Sequence, residues 1–227
     1  MLIDFAAETK PLIGSHVGHA WKGYGSAIFL ELGNLTPPKS EKLSHPSGDW
    51  CIAIEWDWRV ELGSGVLFGS SNTGAEIAER ISELEHSTIQ SIHTFGNVPE
   101  LLVSLSTGHH IRSTVMLTGD PEWSIKLAER EWLYVVGGEL HKGDGRVELT
   151  AEETQAFEYE AQTAKRWGTP IVKPAAGSCF QCSSFARLDG DANLVDYGVC
   201  TAPNSKMDGN VVNQGSGCPQ FTANKGA

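Results

Sequence analysis

A strict alternation of apolar and charged residues is the clearest pattern in the chain. The apolar positions are Ile54, Trp56, Trp58 and Val60, and the charged positions are Glu55, Asp57, Arg59 and Glu61. Because successive side chains of a strand point to opposite faces, a period of two predicts a half-buried strand in an antiparallel sheet. We assign one strand to residues 49–62, with Cys51 near its start as a small buried residue.

Similar patterns predict further strands. Residues 101–117 alternate on both sides of Thr107-Gly108, which is typical of a hairpin with its turn at those residues, and His109 and His110 are interpreted as turn residues. The other runs of strand-forming residues are 25–35, 87–95, 119–127 and 131–140.

Two sequences with the form of a capping box predict helices. Thr73 and Glu76 begin a short helix whose apolar side is formed by Ile77, Ile81 and Leu84. Thr150 and Glu153 begin a second helix, which ends at about Trp167 because Gly168 and Pro170 follow.

These elements predict an α+β protein. We expect a mostly antiparallel β-sheet domain with two helices over residues 1–168, a linker over 169–177, and a small irregular four-cysteine metal-binding module over 178–227.

The charge is unevenly distributed. The net charge is −11, and residues 1–170 hold all of the excess negative charge. An acidic surface repels phosphate backbones, so we expect no direct binding of nucleic acid and favour a basic protein partner. The alternative is that the charge serves solubility alone.

The chain shows neither a secretory signal pattern at its start nor an apolar run long enough for a membrane span. We therefore predict a cytoplasmic protein with no membrane association. Thiols stay reduced in that compartment, and clustered cysteines there favour metal binding over disulfides.

Four of the five cysteines are clustered near the C-terminus. Cys179, Cys182, Cys200 and Cys218 have the spacing C-x2-C-x17-C-x17-C. Four thiolates can hold Zn2+ or an iron–sulfur cluster. A zinc ribbon would normally have a second C-x2-C pair, whereas here the last two cysteines stand alone, which favours a [4Fe–4S] cluster. Zn2+ is the alternative, and disulfides or free thiols are a third interpretation.

The residues around these cysteines also favour a cluster. Aromatic side chains close in sequence could shield it from water, and nearby glycines leave room for backbone N–H groups to approach sulfur. The aromatic residues are Phe180, Phe185, Tyr197 and Phe221, and the glycines are Gly198, Gly215 and Gly217.

The C-terminal pattern C-x2-C-x2-F, YGVC, DGNVV and GC-x2-F, over residues 179–221, resembles the four-cysteine domain of high-potential iron–sulfur type. That domain occurs in small subunits of glycyl radical enzymes such as benzylsuccinate synthase and hydroxyphenylacetate decarboxylase. The resemblance implies an iron–sulfur cluster bound by Cys179, Cys182, Cys200 and Cys218. Those small subunits lack a large acidic β domain, so their enzyme partner does not carry over.

The N-terminal segments WKGYGSAIFLELGNL, GDWCIAIEWDWRVE, NVPELLVSLSTGHHIRS and GDPEWSIKL resemble a family of small uncharacterised bacterial proteins. The resemblance covers most of residues 10–140 and implies no activity. Some relatives are suspected of being immunity-type proteins.

The sequence favours a non-catalytic role without deciding it. The chain has no phosphate-binding loop, no nucleophile elbow and no H-E-x-x-H motif. The acidic residues on the alternating strand, and Asp120 and Glu122 beside Pro121, are interpreted as solvated surface charges. His16 and His19 are interpreted as ordinary histidines. We therefore expect a partner-binding protein, immunity-type or regulatory, and the alternative is an electron-transfer or auxiliary iron–sulfur subunit of a redox enzyme.

Overall fold

The computed structural model describes residues 3–23, 25–38, 45–116, 122–128, 131–145, 150–167, 177–188, 194 and 196–224. The chain divides into two compact units, Met1–Arg146 and Val147–Ala227. The first unit is built mainly from antiparallel strands, the second combines a helix with a small antiparallel sheet, and the described residues include three α-helices. The predicted α+β class is confirmed.

The first unit contains two antiparallel sheets. The six-stranded sheet has the order β1-β2-β3-β9-β10-β11, and the five-stranded sheet has the order β5-β4-β8-β7-β6. The strands of the first sheet are β1 Val17–Lys22, β2 Ile28–Leu32, β3 Trp50–Ile54, β9 Trp123–Ala128, β10 Glu131–Val136 and β11 Glu139–Gly143. Those of the second are β4 Asp57–Leu62, β5 Gly65–Gly69, β6 Ile89–Phe95, β7 Glu100–Leu105 and β8 His109–Thr114.

Both sheets contribute to one hydrophobic core. Fully buried side chains from the six-stranded sheet, such as Leu30 and Ile52, belong to the same cluster as Val60 and Ile111 from the five-stranded sheet. Helix α1 (Phe5–Thr9) adds Phe5, whose ring lies 5.8 Å from that of Trp123 in an edge-to-face arrangement. Burial of these apolar faces is the main source of stability for this unit.

The first predicted capping box is present. The Glu76 N–H donates to the hydroxyl of Thr73, and the Thr73 N–H donates to the Glu76 carboxylate at 2.9 Å. This cap begins helix α2 (Gly74–Arg80), and a 3₁₀ turn over Ile81–Leu84 follows it. Ile77, Ile81 and Leu84 are buried, as the sequence predicted.

The prediction of one strand over residues 49–62 is wrong. The chain forms β3 and β4, which belong to different sheets, and it passes between them at Glu55 and Trp56. The Glu55 N–H donates to the Glu122 carbonyl, and the Trp56 carbonyl accepts from the Ser26 hydroxyl. Ile54 and Trp58 are buried on either side of the bend, but Trp56, which was expected on the same face, is 37% exposed, so the alternation of buried and exposed side chains stops at the bend.

Other boundaries also differ from the prediction. Residues 131–140, predicted as one strand, contain β10 and the start of β11, joined at Gly137 and Gly138, which both have positive φ. Strand β1 lies in a region that the sequence left unassigned, and His109 and His110 belong to β8. The hairpin turn before His109 is confirmed.

The second unit combines a helix with a small sheet. Helix α3 (Ala151–Trp167) begins where the second capping box was predicted. The sheet has the order β12-β13-β14, with β12 Phe185–Arg187, β13 Tyr197–Cys200 and β14 Val211–Asn213. The module predicted as irregular therefore contains one small sheet, which the sequence did not indicate because strands of three or four residues are too short to show a period of two.

Helix α3 is attached to this sheet. The Tyr197 hydroxyl donates to the Ala164 carbonyl at 2.8 Å, and the Trp167 ring meets the Tyr197 ring edge to face at 5.2 Å. The sequence-based division assigned this helix to the acidic domain, whereas the compact units place it with the cysteines. Most of the predicted linker, residues 169–176, lies outside the described residues.

Candidate metal centre

The first two cysteines lie on a tight turn. A 3₁₀ turn over Cys179–Gln181 begins after Ser178, and the Cys182 N–H closes it by donating to the Cys179 carbonyl at 2.9 Å. The Phe185 N–H then donates to the Cys182 carbonyl at 3.1 Å. These successive turns bring the two thiol-bearing residues close together and lead directly into β12.

The third cysteine lies at the end of the central strand of this sheet. Cys200 pairs with Phe185 across β12 and β13, and it is buried with only 7% of its surface exposed. Together with Ala202 and Val212 it forms a small core, against which Cys179 and Phe185 pack. The sheet thus places Cys200 beside the turn that contains the first pair.

The fourth cysteine lies on a segment that runs beside the same turn. The Cys179 N–H donates to the Ser216 carbonyl at 2.6 Å, and the Ser183 N–H donates to the Thr222 carbonyl at 2.8 Å. Cys218 lies between these two attachment points. Its sulfur accepts a long hydrogen bond of 3.8 Å from the Ser205 hydroxyl.

The four thiols are within electrostatic reach of one another. The pKa of Cys179 is raised to about 11, firstly by burial and then by the negative charge of Cys218, Cys182 and Cys200. All four thiols are free, as is Cys51. A bound cation would reverse this effect, because it stabilises the thiolate form of its ligands.

The four sulfur atoms are close enough to interact electrostatically, but the described side chains do not have the arrangement of a metal-ion site. In the part of the chain that the structure describes, no group of three or more His, Cys, Asp or Glu side chains has an arrangement that could hold a metal ion. The donor set suits a four-thiolate centre chemically, so the ligand roles of the four cysteines stay a prediction.

The aromatic residues near the cysteines do not form the expected shield. Phe180, inside the C-x2-C turn, is 57% exposed. Tyr197 is buried, but its hydroxyl bonds to helix α3. Phe221 packs its ring against Gly177, where a Cβ would lie 2.4 Å from a ring carbon. Phe185 is the exception, because its ring belongs to the small core that contains Cys200.

The glycines also have a different role from the expected one. A Cβ on Gly198 would lie 2.5 Å from the Phe185 ring and 2.6 Å from the Ala186 carbonyl oxygen. Gly198 therefore makes room for an aromatic ring between paired strands. The Gly215 N–H donates to the Asn213 side chain at 2.8 Å.

The other candidate residues lie in the first unit. Arg59 donates to Glu61 at 2.7 Å, which lowers the pKa of Glu61 from its ordinary value, and burial opposes this effect. Arg112 on the neighbouring strand adds a smaller lowering. This pattern agrees with a charged sheet face.

The structure contradicts the prediction made for Glu122 and confirms the one made for Cys51. Glu122 was expected to be solvated, but it is 2% exposed and accepts from the Met116 N–H at 3.1 Å, so that prediction is wrong. Asp120 lies outside the described residues. Cys51 is buried as expected, and its pKa is raised well above the ordinary value by burial and then by Glu31.

His19 is the residue that the sequence interpretation underestimated. It contacts Glu85 and His45, which are 66 and 26 positions away in the sequence. No local spacing could have shown this cluster, because its members come from three separate segments of the first unit.

Comparison with known proteins gives one partial match. A protein-family model described as "Protein of unknown function (DUF3027)" matches residues 119–224. The chain is similar to that family over this stretch, which contains helix α3 and all four clustered cysteines but not Cys51. Neither the curated proteins nor the solved structures give a match to the chain.

Proposed function

We propose that this protein is a non-enzymatic, partner-binding protein whose C-terminal unit is stabilised by one metal centre with Cys179, Cys182, Cys200 and Cys218 as ligands. The observation that carries the proposal is the convergence of three cysteine-bearing segments. Backbone hydrogen bonds hold the Cys218 segment beside the Cys179–Cys182 turn, and strand pairing places Cys200 next to it. Each thiol also affects the titration of Cys179.

A metal centre would have a clear structural role in this unit. The described core of the small sheet consists of Cys200, Ala202 and Val212, with Cys179 and Phe185 packed against it. A core of this size contributes little stability, and small domains of this kind commonly depend on a bound metal. All four ligand positions would be protein thiolates, which leaves no open position for a reacting water and supports a structural role.

Zinc is the ion that we favour for this centre. The sequence favoured a [4Fe–4S] cluster partly because of a shield of aromatic residues and of glycines near sulfur. The exposed Phe180 and the packing of Gly198 against Phe185 remove most of that support. A tetrahedral zinc site with four thiolates needs no such shield.

The second candidate function is an electron-transfer or auxiliary iron–sulfur subunit. The observation that favours it is the spacing, because Cys200 and Cys218 each stand alone in long segments rather than in a second C-x2-C pair. A [4Fe–4S] cluster exchanges electrons without any change of ligands. Brown colour, iron and acid-labile sulfide would identify this alternative.

The proposed partner is a basic protein. The net charge of −11 and the exposed acidic residues Glu76 and Glu79 of helix α2, with Glu83 of the 3₁₀ turn that follows, favour a positively charged partner surface. A reducing compartment such as the cytoplasm is part of the proposal, because the thiols must stay available for metal. In the described part of the chain, no helix combines the length and apolar composition that crossing a bilayer requires.

Elemental analysis of the anaerobically purified full chain tests the metal proposal. We expect one zinc per chain, with loss of the ion in Cys200→Ser. Cys51→Ser is the matched control, because it removes a buried thiol outside the cluster and should keep the metal. A full chain that is purified anaerobically without any metal, or full retention of the ion in Cys200→Ser, would contradict the proposal.

A further inference from the structure

Glu85, His19 and His45 form a continuous hydrogen-bonded chain in the first unit. The Glu85 Oε1 atom lies 2.9 Å from His19 Nδ1, and His19 Nε2 lies 3.0 Å from His45 Nδ1. The two imidazole ring centroids are 5.3 Å apart and the planes differ by 24°. With nitrogen atoms in hydrogen-bond contact, this separation means that the rings meet edge to edge rather than face to face.

Both ends of this chain are fixed to the six-stranded sheet. The Ala20 N–H donates to Glu85 Oε1 at 3.0 Å. At the other end, the His45 ring lies flat on Trp21, with centroids 4.2 Å apart and planes 9° apart. The Trp21 indole stacks on Phe29 from its own sheet at 4.1 Å. His45 therefore covers an aromatic pair that would otherwise be more exposed.

His45 belongs to the connection between β2 and β3. The described part of this connection is held to the sheet by backbone bonds between Thr36 and Ser47 and by the Gly48 N–H, which donates to Glu31 Oε2 at 2.8 Å. The contact of His45 with His19 and Trp21 adds a side-chain attachment whose strength depends on protonation.

The protonation state of the two histidines decides whether the hydrogen bond between them can form. With both rings neutral, His19 Nδ1–H donates to Glu85 and His45 Nδ1–H donates to His19 Nε2. One added proton makes His19 an imidazolium that donates to Glu85 and to His45 Nδ1. A second proton puts N–H groups on both sides of the 3.0 Å contact, so the bond is lost and two like charges face each other.

We propose that the Glu85–His19–His45 chain is a proton-operated latch, which holds His45, in the described part of the β2–β3 connection, against Trp21 and releases it when both histidines become protonated. The release uncovers the outer face of the Trp21 ring. The latch needs only the uptake of protons from solvent.

The groups around His45 favour release of the latch at acidic pH. The pKa of His45 is lowered from its ordinary value of 6.5, firstly by burial and then by His19, while Glu31 opposes the change. Glu31 also accepts the Trp21 indole N–H at 3.3 Å. Because the folded pKa of His45 is lower than the unfolded one, the latch is fully closed above pH 6.5 and weakens as the pH falls below that value. Among the described residues, Cys51 also interacts with Glu31, and Lys126 acts electrostatically on Cys51.

Nuclear magnetic resonance of the ¹⁵N-labelled full chain tests the latch. We expect His45 to be protonated at Nδ1 alone at pH 8, and the Trp21 indole signal to shift toward that of an exposed indole between pH 6.5 and 5. The protection factor of the Ser47 amide, which corrects for the slower intrinsic exchange at low pH, should fall over the same range. Trp21→Phe identifies the indole signal.

Two variants separate the latch from general acid unfolding. His45→Phe keeps a ring on Trp21 but cannot bind a proton, so the indole shift and the fall in Ser47 protection should disappear between pH 6.5 and 5. Glu85→Gln removes the charge that stabilises the first proton, so release should move to lower pH. Titration of His45 without any change at Trp21, or an identical transition in His45→Phe, would overturn the proposal.

Discussion

The Cys179 N–H donates to the Ser216 carbonyl at 2.6 Å, which holds the first cysteine of the cluster beside the segment that contains the last one. These residues are far apart in sequence, and no disulfide joins their segments. This backbone hydrogen bond therefore holds the two ends of the four-cysteine motif side by side. This contact explains why Cys218 is the first thiol, after burial, to raise the pKa of Cys179.

Gly198→Ala should destabilise the second unit. The added Cβ would lie 2.5 Å from the Phe185 ring and 2.6 Å from the backbone oxygen of Ala186, and the backbone atom cannot rotate away. We expect a loss of about 1–3 kcal/mol, which is typical of overpacking, measured by denaturant unfolding of the C-terminal unit. Gly65→Ala is the control, because its Cβ would have only one neighbour, at 3.9 Å. Equal stability of the two variants would contradict the packing described for Phe185.

Tyr197→Phe should weaken the attachment of helix α3 to the sheet. The Tyr197 hydroxyl donates to the Ala164 carbonyl, one of the last carbonyls of the helix, which have no partner within the helix itself. We expect a loss of about 1 kcal/mol and increased fraying of the helix end, measured by unfolding and amide exchange. Tyr159→Phe is the control, since Tyr159 is 62% exposed and should change neither quantity.

Thr73→Ala should destabilise the first unit through helix α2. The change removes the hydroxyl that accepts the Glu76 N–H and leaves the first turn without its cap. The expected cost is about 1 kcal/mol, measured by thermal unfolding. Thr73→Ser keeps the hydroxyl and should recover most of the loss. A Thr73→Ser variant as unstable as Thr73→Ala would show that the methyl group, rather than the cap, is responsible.

The metal-free protein should lose stability at alkaline pH. The folded pKa of Cys179 is about 11, against an ordinary value of 9.0. Because the fold favours the neutral thiol, its contribution is complete below pH 9 and decreases as the pH rises toward 11. Unfolding of the chelator-treated protein across this range measures the effect. Cys179→Ser should show a smaller decrease, and an unchanged pH profile in this variant would mean that another group is responsible.

The sequence predicted the type of most elements better than their connections. The hairpin before His109 and the cap of α2 were correct because the turn and cap residues lie within a few positions of each other. The bend between β3 and β4 was missed, because an alternation of apolar and charged residues in the sequence does not distinguish one continuous strand from two strands that belong to different sheets.

The candidate site could also be predicted only in part from the sequence. The four cysteines could be selected from spacing alone, and the structure places them in one neighbourhood. The exposure of Phe180 and the packing of Gly198 against Phe185 could not be predicted, because exposure and close packing depend on residues that pair across the small sheet. His45 and Glu85 could not be connected with His19, since only the assembled first unit brings them together.

The central claim is that four cysteine sulfurs bind one metal, and X-ray absorption at the metal edge of the purified full chain tests it most directly. The account predicts zinc with four sulfur neighbours at about 2.3 Å and no nitrogen or oxygen in the coordination sphere. Fewer than four sulfur neighbours, or an anaerobically purified full chain that contains no metal, would contradict it.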